Sequence, residues 1–161
     1  MPAVKPIPDG FHSLTPHIVV KGAAKAIDFY KRAFAAEEIN RHAMPDGSIM
    51  HALLRIGDSM LMLNDEFPQM NARGPTSIGG TPVTLNIYVE NADKAWERAV
   101  QAGAKVKMPI ADQFWGDRYG ILTDPFGHDW SIATHQKDLT PDQIMAASKA
   151  AMSGPPPGKK S

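Results

Sequence analysis

The chain has 161 residues, 43% of them hydrophobic and 21% charged, which suits one globular domain or two small modules sharing a core. Lysine and arginine together number 17, as do aspartate and glutamate, so no net field draws the protein to nucleic acid or to an anionic membrane. Cysteine is absent, which excludes disulfides, thiolate metal sites and cysteine nucleophiles.

No apolar run approaches the ~18 residues of a membrane span, and the opening MPAVKPIPDG has no apolar signal core. A cytoplasmic protein is expected. Residues 1–13 are proline-rich without a period and read as an N-terminal arm. The first module is expected over 14–66. It holds a strand at Leu14–Val20 and a helix at Ala23–Phe34, with Ala26, Ile27, Tyr30 and Phe34 at helical spacing. Strands follow at Glu37–Ala43, Ile49–Ile56 and Met60–Leu63, with turns at Pro45-Asp46-Gly47 and Gly57-Asp58. Residues 67–82 form a Gly/Pro-rich linker, long enough to serve as a lid or crossover.

The second module, 83–135, repeats the order. It has a strand at Val83–Val89, a helix at Ala92–Ala102 stopped by Gly103, and strands at Lys105–Ala111, Arg118–Thr123 and Trp130–Thr134. Between the last two, Asp124-Pro125-Phe126-Gly127 is a turn, with proline presetting φ at its second position. Thr140-Pro141 opens a C-terminal helix within 136–152. The PPPGKK segment makes 153–161 an expected disordered tail.

The halves can be registered as a repeat. An offset of about 69 sets Thr15 on Thr84, Ala26 on Ala95 and Asp28 on Glu97; an offset of about 70 sets Gly57 on Gly127, Met60 on Trp130 and Met62 on Ile132. The fold class is therefore α+β, two tandem βαβββ modules. Strand alternation assigns the faces. Thr15, His17, His51, Leu61, Thr84, Asn86, Tyr88, Tyr119 and Ser131 line a concave side, and Met60 and Met62 turn toward the helix. A few polar groups among apolar ones is the composition of a small-molecule pocket.

The hairpin FWGDRYG…DPFGHDW resembles the last hairpin of the vicinal oxygen chelate superfamily, in particular the glyoxalase/bleomycin resistance proteins of the PhnB-like branch. The likeness continues through TPHIVVKGAAKAIDFYKRAF, IMHALLRIGDSMLMLNDE and TLNIYVENADKAWERAVQAGA, covering Leu14 to His135. It implies the glyoxalase/bleomycin resistance/dihydroxybiphenyl dioxygenase fold, with each half-sheet curved into a cup, and a homodimer. It also implies a divalent metal held by the first and fourth strands of each module. By register those positions fall on Thr15, Leu61, Thr84 and Ser131, which lack the imidazoles and carboxylates a divalent ion needs. No metal or other cofactor is expected there. A displaced ion using His17 and His51, with Asn86 nearby and Asp65, Glu66 and His135 at strand ends, is the alternative.

Trp115, Arg118 and Tyr119 offer two stacking surfaces and a planar cation. The structural alternative pairs Asp117 with Arg118 and packs the aromatics in the hairpin. His128 is expected to stabilise its turn, and Trp96 to pack in the core. There is no GxSxG serine, no phosphate loop and no basic run beyond Lys159-Lys160, which argues against hydrolase triads, P-loop nucleotide binding and nucleic acid. The leading expectation is a protein that sequesters or senses a planar or polycyclic compound, using His17, His51, Asn86, Tyr88, Trp115, Arg118 and Tyr119. A metal-dependent lyase, isomerase or dioxygenase on a displaced site is the second. An interaction module lending its cup to a larger assembly is the third.

Overall fold

The computed structural model describes residue 1 and residues 3–154. The first module runs β1 (His17–Val20), α1 (Ala23–Phe34), β2 (Glu37–Ala43), β3 (Ile49–Ile56) and β4 (Ser59–Asp65). The linker carries a 3-10 turn at Pro68–Met70 and a short helix, α2 (Pro75–Ile78). The second module runs β5 (Thr84–Tyr88), α3 (Ala92–Ala102), β6 (Lys105–Asp112), β7 (Asp117–Thr123) and β8 (Asp129–His135), followed by α4 (Pro141–Met152). Each module forms one mixed sheet, ordered β1-β4-β3-β2 and β5-β8-β7-β6. Within each, the first and fourth strands are parallel and the rest antiparallel. Of the tail expected over 153–161, residues from 155 onward lie outside the described residues.

Each helix is capped by the strand beside it. The Asp65 carboxylate, at the end of β4, accepts the Gly22 and Ala23 N–H groups at 2.9 Å each. Thr134, the equivalent residue of β8, accepts the Ala92 N–H at 2.8 Å. Both satisfy donors that a helix N-terminus leaves unpaired. Thr140 and Gln143 form a reciprocal capping box on α4. That helix buries none of its residues.

The modules share one core. Tyr30 and Phe34 of α1 pack on Trp130 of β8, with ring centroids 5.3 and 4.6 Å apart, and Phe29 meets Phe126. The Asp124 carboxylate, in the turn before β8, accepts the Tyr30 hydroxyl at 2.6 Å and the Trp130 indole N–H at 2.8 Å. It also accepts the Phe126 and His128 backbone N–H groups. His128 reaches the Val19 carbonyl of β1 at 2.9 Å. The turn thus latches one module to the other. Trp96 lies flat enough on β7 that a methyl at Gly120 would stand 2.6 Å from its ring.

Two expectations are corrected. β1 begins at His17, and Leu14 is exposed. More consequentially, Leu61 and Leu63 of β4 enter the core, while Met60 and Met62 lie on the opposite face. Arg55 pairs with Met60 and Thr123 with Asp129. Four residues separate the first pair and five the second, so an alignment through Gly57 and Gly127 overshoots the strand by one. A slip of one residue exchanges the faces of a strand. Among the described residues no helix is long and apolar enough to cross a membrane.

Candidate functional site

The second module's concave face is built from rows of paired residues. Asn86 of β5 stands beside Ser131 of β8 and Ile121 of β7; Tyr88 stands beside Ala133 and Tyr119; His135 stands beside Asp117. Ala133 is the small residue between Tyr88 and Tyr119 in this register, so the Tyr88 side chain can cross it diagonally to Asp117. Its hydroxyl donates to Asp117 Oδ2 at 2.9 Å. The Trp115 indole N–H donates to the same oxygen at 3.2 Å, and His135 Nδ1 lies 2.7 Å from Asp117 Oδ1. Trp115 and Tyr119 meet edge to face at 5.3 Å. An aromatic corner therefore surrounds a carboxylate that is only 4% exposed.

This arrangement sets the electrostatics. Burial pushes the Asp117 carboxyl up, but hydrogen bonds from His135, Tyr88 and Trp115 outweigh it and hold the group below its ordinary range. The same contact with Asp117 raises the Tyr88 phenol. His135 is raised by Asp138, 2.8 Å from its Nε2, and by Asp117. Further along the face, the Ser131 hydroxyl donates to Asn86 Oδ1 at 2.7 Å. Asp129, 5% exposed, accepts from Thr123 at 2.7 Å and from Lys107.

The first module's concave face brings His17 and His51 together, with ring centroids 5.7 Å apart. His17 Nε2 lies 2.6 Å from Asn64 Oδ1. Arg118 is the exception among the anticipated residues. It points to the helix side, where its guanidinium binds Asp93 of α3 at 2.8–3.0 Å and Asp112 at 3.1 Å. Alternation explains it: with Tyr119 in the cup, its neighbour must face away. Asp117 does not pair with Arg118.

Asp138 and Asn64 have no place in the sequence reading, which sets Asp117 beside Arg118 and His135 at a strand end rather than in the cup. Asp117 and His135 occupy the terminal positions of β7 and β8, one residue beyond where those strands were expected to end. Carrying the alternation one step past Tyr119 and Ala133 would have placed both in the cup.

The donor set does not fit the metal implied by the resemblance. Leu61 is in the core, and Thr15, Thr84 and Ser131 supply only hydroxyls. Among the described residues no group of three His, Cys, Asp or Glu side chains is placed to hold an ion. A groove of about 940 Å³ runs along β5, lined by Leu14, Met60, Leu85, Ile87 and Tyr88 among others.

The profile of the Glyoxalase/Bleomycin resistance protein/Dioxygenase superfamily matches residues 10–132. An uncharacterized protein of Mycobacterium tuberculosis is 49% identical over 138 residues, covering 84% of this chain and 81% of its own. TioX from Micromonospora sp. ML1 superposes with a TM-score of 0.63 at 25% identity, over 77% of this chain and 98% of that one. The PhnB protein from Bacillus cereus shares the fold, with a TM-score of 0.59 at 17% identity over 76% and 99% of the two chains.

Proposed function

Because the chain belongs to the Glyoxalase/Bleomycin resistance protein/Dioxygenase superfamily, we propose that it is a small-molecule binding protein. It sequesters or senses a planar or polycyclic compound in the concave cup, without a metal at the superfamily's usual position. The observation that carries this reading is the aromatic corner, in which Tyr88, Trp115 and Tyr119 are held around Asp117 on an otherwise open face. Large aromatic side chains supply contact area at low entropic cost when something else fixes their rotamers. Here Asp117 fixes two of them. Asn86 adds a polar group from β5, and His17 and His51 supply polar groups on the other module. Arg118 takes no part.

The protein works as a cytoplasmic homodimer in this reading. A lyase, isomerase or dioxygenase on a displaced ion would draw on His17 and His51. It finds no third His, Cys, Asp or Glu partner among the described residues. The test is a thermal-shift screen of planar aromatic compounds and antibiotics, followed by calorimetry. Compounds that raise the melting temperature should lose affinity when Trp115 is truncated. A screen with no stabilising compound would count against the reading.

A further inference from the structure

Two of the three polar hydrogens in the aromatic corner are already committed. The one phenolic hydrogen of Tyr88 goes to Asp117 Oδ2, and the Trp115 indole N–H goes to the same atom. The Tyr119 hydroxyl is the one corner donor with no acceptor among the described residues. The Tyr88 and Trp115 part of the corner therefore presents π faces and the lone pairs of the Tyr88 oxygen. Asn86 is the opposite case. Its carbonyl oxygen is occupied by the Ser131 hydroxyl. Among the described residues nothing accepts from its amide nitrogen, so two N–H donors remain for a ligand.

Most of the charges are committed in the same way. The buried groups are carboxylates, Asp117 and Asp129. Lys107 is paired with Asp129, and His135 lies between Asp117 and Asp138. Arg118 is paired on the far face. Lys105 stands opposite Thr123, at the end of β7 remote from Asp117. A ligand carboxylate beside Tyr88 would meet Asp117, and a like charge at that distance is disfavoured. The exposed Lys137, whose backbone packs on Gly116, is a nearby cation with no ion-pair partner among the described residues.

Resting on the aromatic site proposed above, we propose that this face selects a planar aromatic molecule, neutral or cationic, that donates a hydrogen bond to the Tyr88 phenolic oxygen and accepts one from the Asn86 amide. The two residues stand two positions apart on one strand, so the ligand's donor and acceptor are separated by roughly 7 Å or more. Ser131 and Asp117 do not touch the ligand. They are positioning residues that set the polarity of Asn86 and Tyr88.

The test uses three matched probes on the full-length protein: a hydroxy-acetylnaphthalene, its methyl ether, and the corresponding hydroxynaphthoate. The hydroxy ketone is neutral and carries one donor and one acceptor. The ether removes the donor, and the naphthoate adds the negative charge. Calorimetry should show the hydroxy ketone binding about two- to tenfold more tightly than its ether, the ratio expected for one net hydrogen bond, and more tightly than the naphthoate. Tyr88→Phe should bring the ketone and its ether to equal affinity. Asn86→Asp, which keeps an acceptor for Ser131 but withdraws the donors, should weaken both together; it carries the test if Tyr88→Phe does not fold. A naphthoate that binds as tightly as the ketone overturns the inference, as does a hydroxyl preference that survives Tyr88→Phe. Either result leaves the small-molecule reading standing. If no probe binds and no planar aromatic in the wider screen does either, that reading and this inference fall together.

Discussion

The Tyr30 hydroxyl donates to the Asp124 carboxylate at 2.6 Å, joining α1 of the first module to the β7–β8 turn of the second across 94 residues of sequence. Tyr30 is fully buried, and its phenol is held well above the ordinary range by burial and by Asp124. Tyr30→Phe should cost about 1.5–3 kcal/mol, the usual contribution of a hydrogen bond to a charged group. Asp124→Ala should cost more. It leaves the Tyr30 hydroxyl and the Trp130 indole N–H without a partner, at about 1–3 kcal/mol for each stranded donor. Equilibrium denaturation of the two variants checks the order. A Tyr30→Phe protein as stable as wild type would show that this hydrogen bond adds nothing net to the joining of the modules.

Much of this fold was legible in sequence because punctuation and period agreed. α1 and α3 have the expected bounds, since each carries an apolar stripe and ends at a conformational break. The face of β4 was not legible, because the glycines chosen to align the halves sit in loops of different length. The Asp124 turn could be read locally, but its partner Tyr30 is a tertiary contact that no local pattern signals. In the site, alternation places Tyr88 and Tyr119 on the concave face, and Trp115 lies edge-on to Tyr119. Arg118 was judged by its chemistry when alternation with Tyr119 already put it on the other face. Asp117 and His135 sit at strand ends, where a turn reading pairs Asp117 with its neighbour Arg118 instead of carrying it into the cup.

His135 makes the fold pH-sensitive in a defined direction. Asp138 and Asp117 both lie at hydrogen-bonding distance from its ring nitrogens, and only the imidazolium can donate to both. The two carboxylates raise its folded-state pKa above the unfolded value of about 6.5. The stabilisation is therefore complete below about pH 6.5 and is lost as pH rises through the folded pKa. Melting temperature should fall across that window in wild type, and His135→Gln should flatten the fall. A variant with an unchanged pH profile would remove His135 as its source.

The open strand edges bear on assembly. β2 and β6 are outermost in their sheets, and both are interrupted by register shifts, one of the ways edges are protected. β1 and β5 are also edge strands, and β5 lines the large groove. A homodimer that covers them should bury at least the ~1,200 Å² of a stable interface. Sedimentation should give twice the monomer mass at tens of micromolar, and a monomer at that concentration rejects the assembly.

Metal content separates binding from metal-dependent catalysis. Offered Zn²⁺ or Ni²⁺ and then desalted, the protein should retain well under one equivalent, because two imidazoles without a third strong donor hold a divalent ion weakly. Elemental analysis measures it. A stoichiometric ion lost on His17→Ala or His51→Ala would instead install the displaced site.

Trp115 and Arg118 provide the sharpest contrast within one hairpin. Trp115 is half-buried, anchored through its indole N–H to Asp117, and stacked edge-on to Tyr119. Arg118 is three residues away on the opposite side, held by Asp93 and Asp112. If the corner is the ligand platform, Trp115→Ala should weaken binding by about 1–3 kcal/mol, the scale of a moderate hot spot, or roughly 5- to 150-fold in dissociation constant. Arg118→Lys should leave affinity unchanged and lower the melting temperature only slightly, since the fork is lost on the helix side while the charge remains. The pair discriminates because a purely structural hairpin predicts a different pattern: Trp115→Ala would then lower the melting temperature sharply with no selective effect on binding. Calorimetry with any compound shown to occupy the cup, run beside thermal denaturation of both variants, decides between the two. An affinity that survives Trp115→Ala would take the ligand off this corner of the sheet.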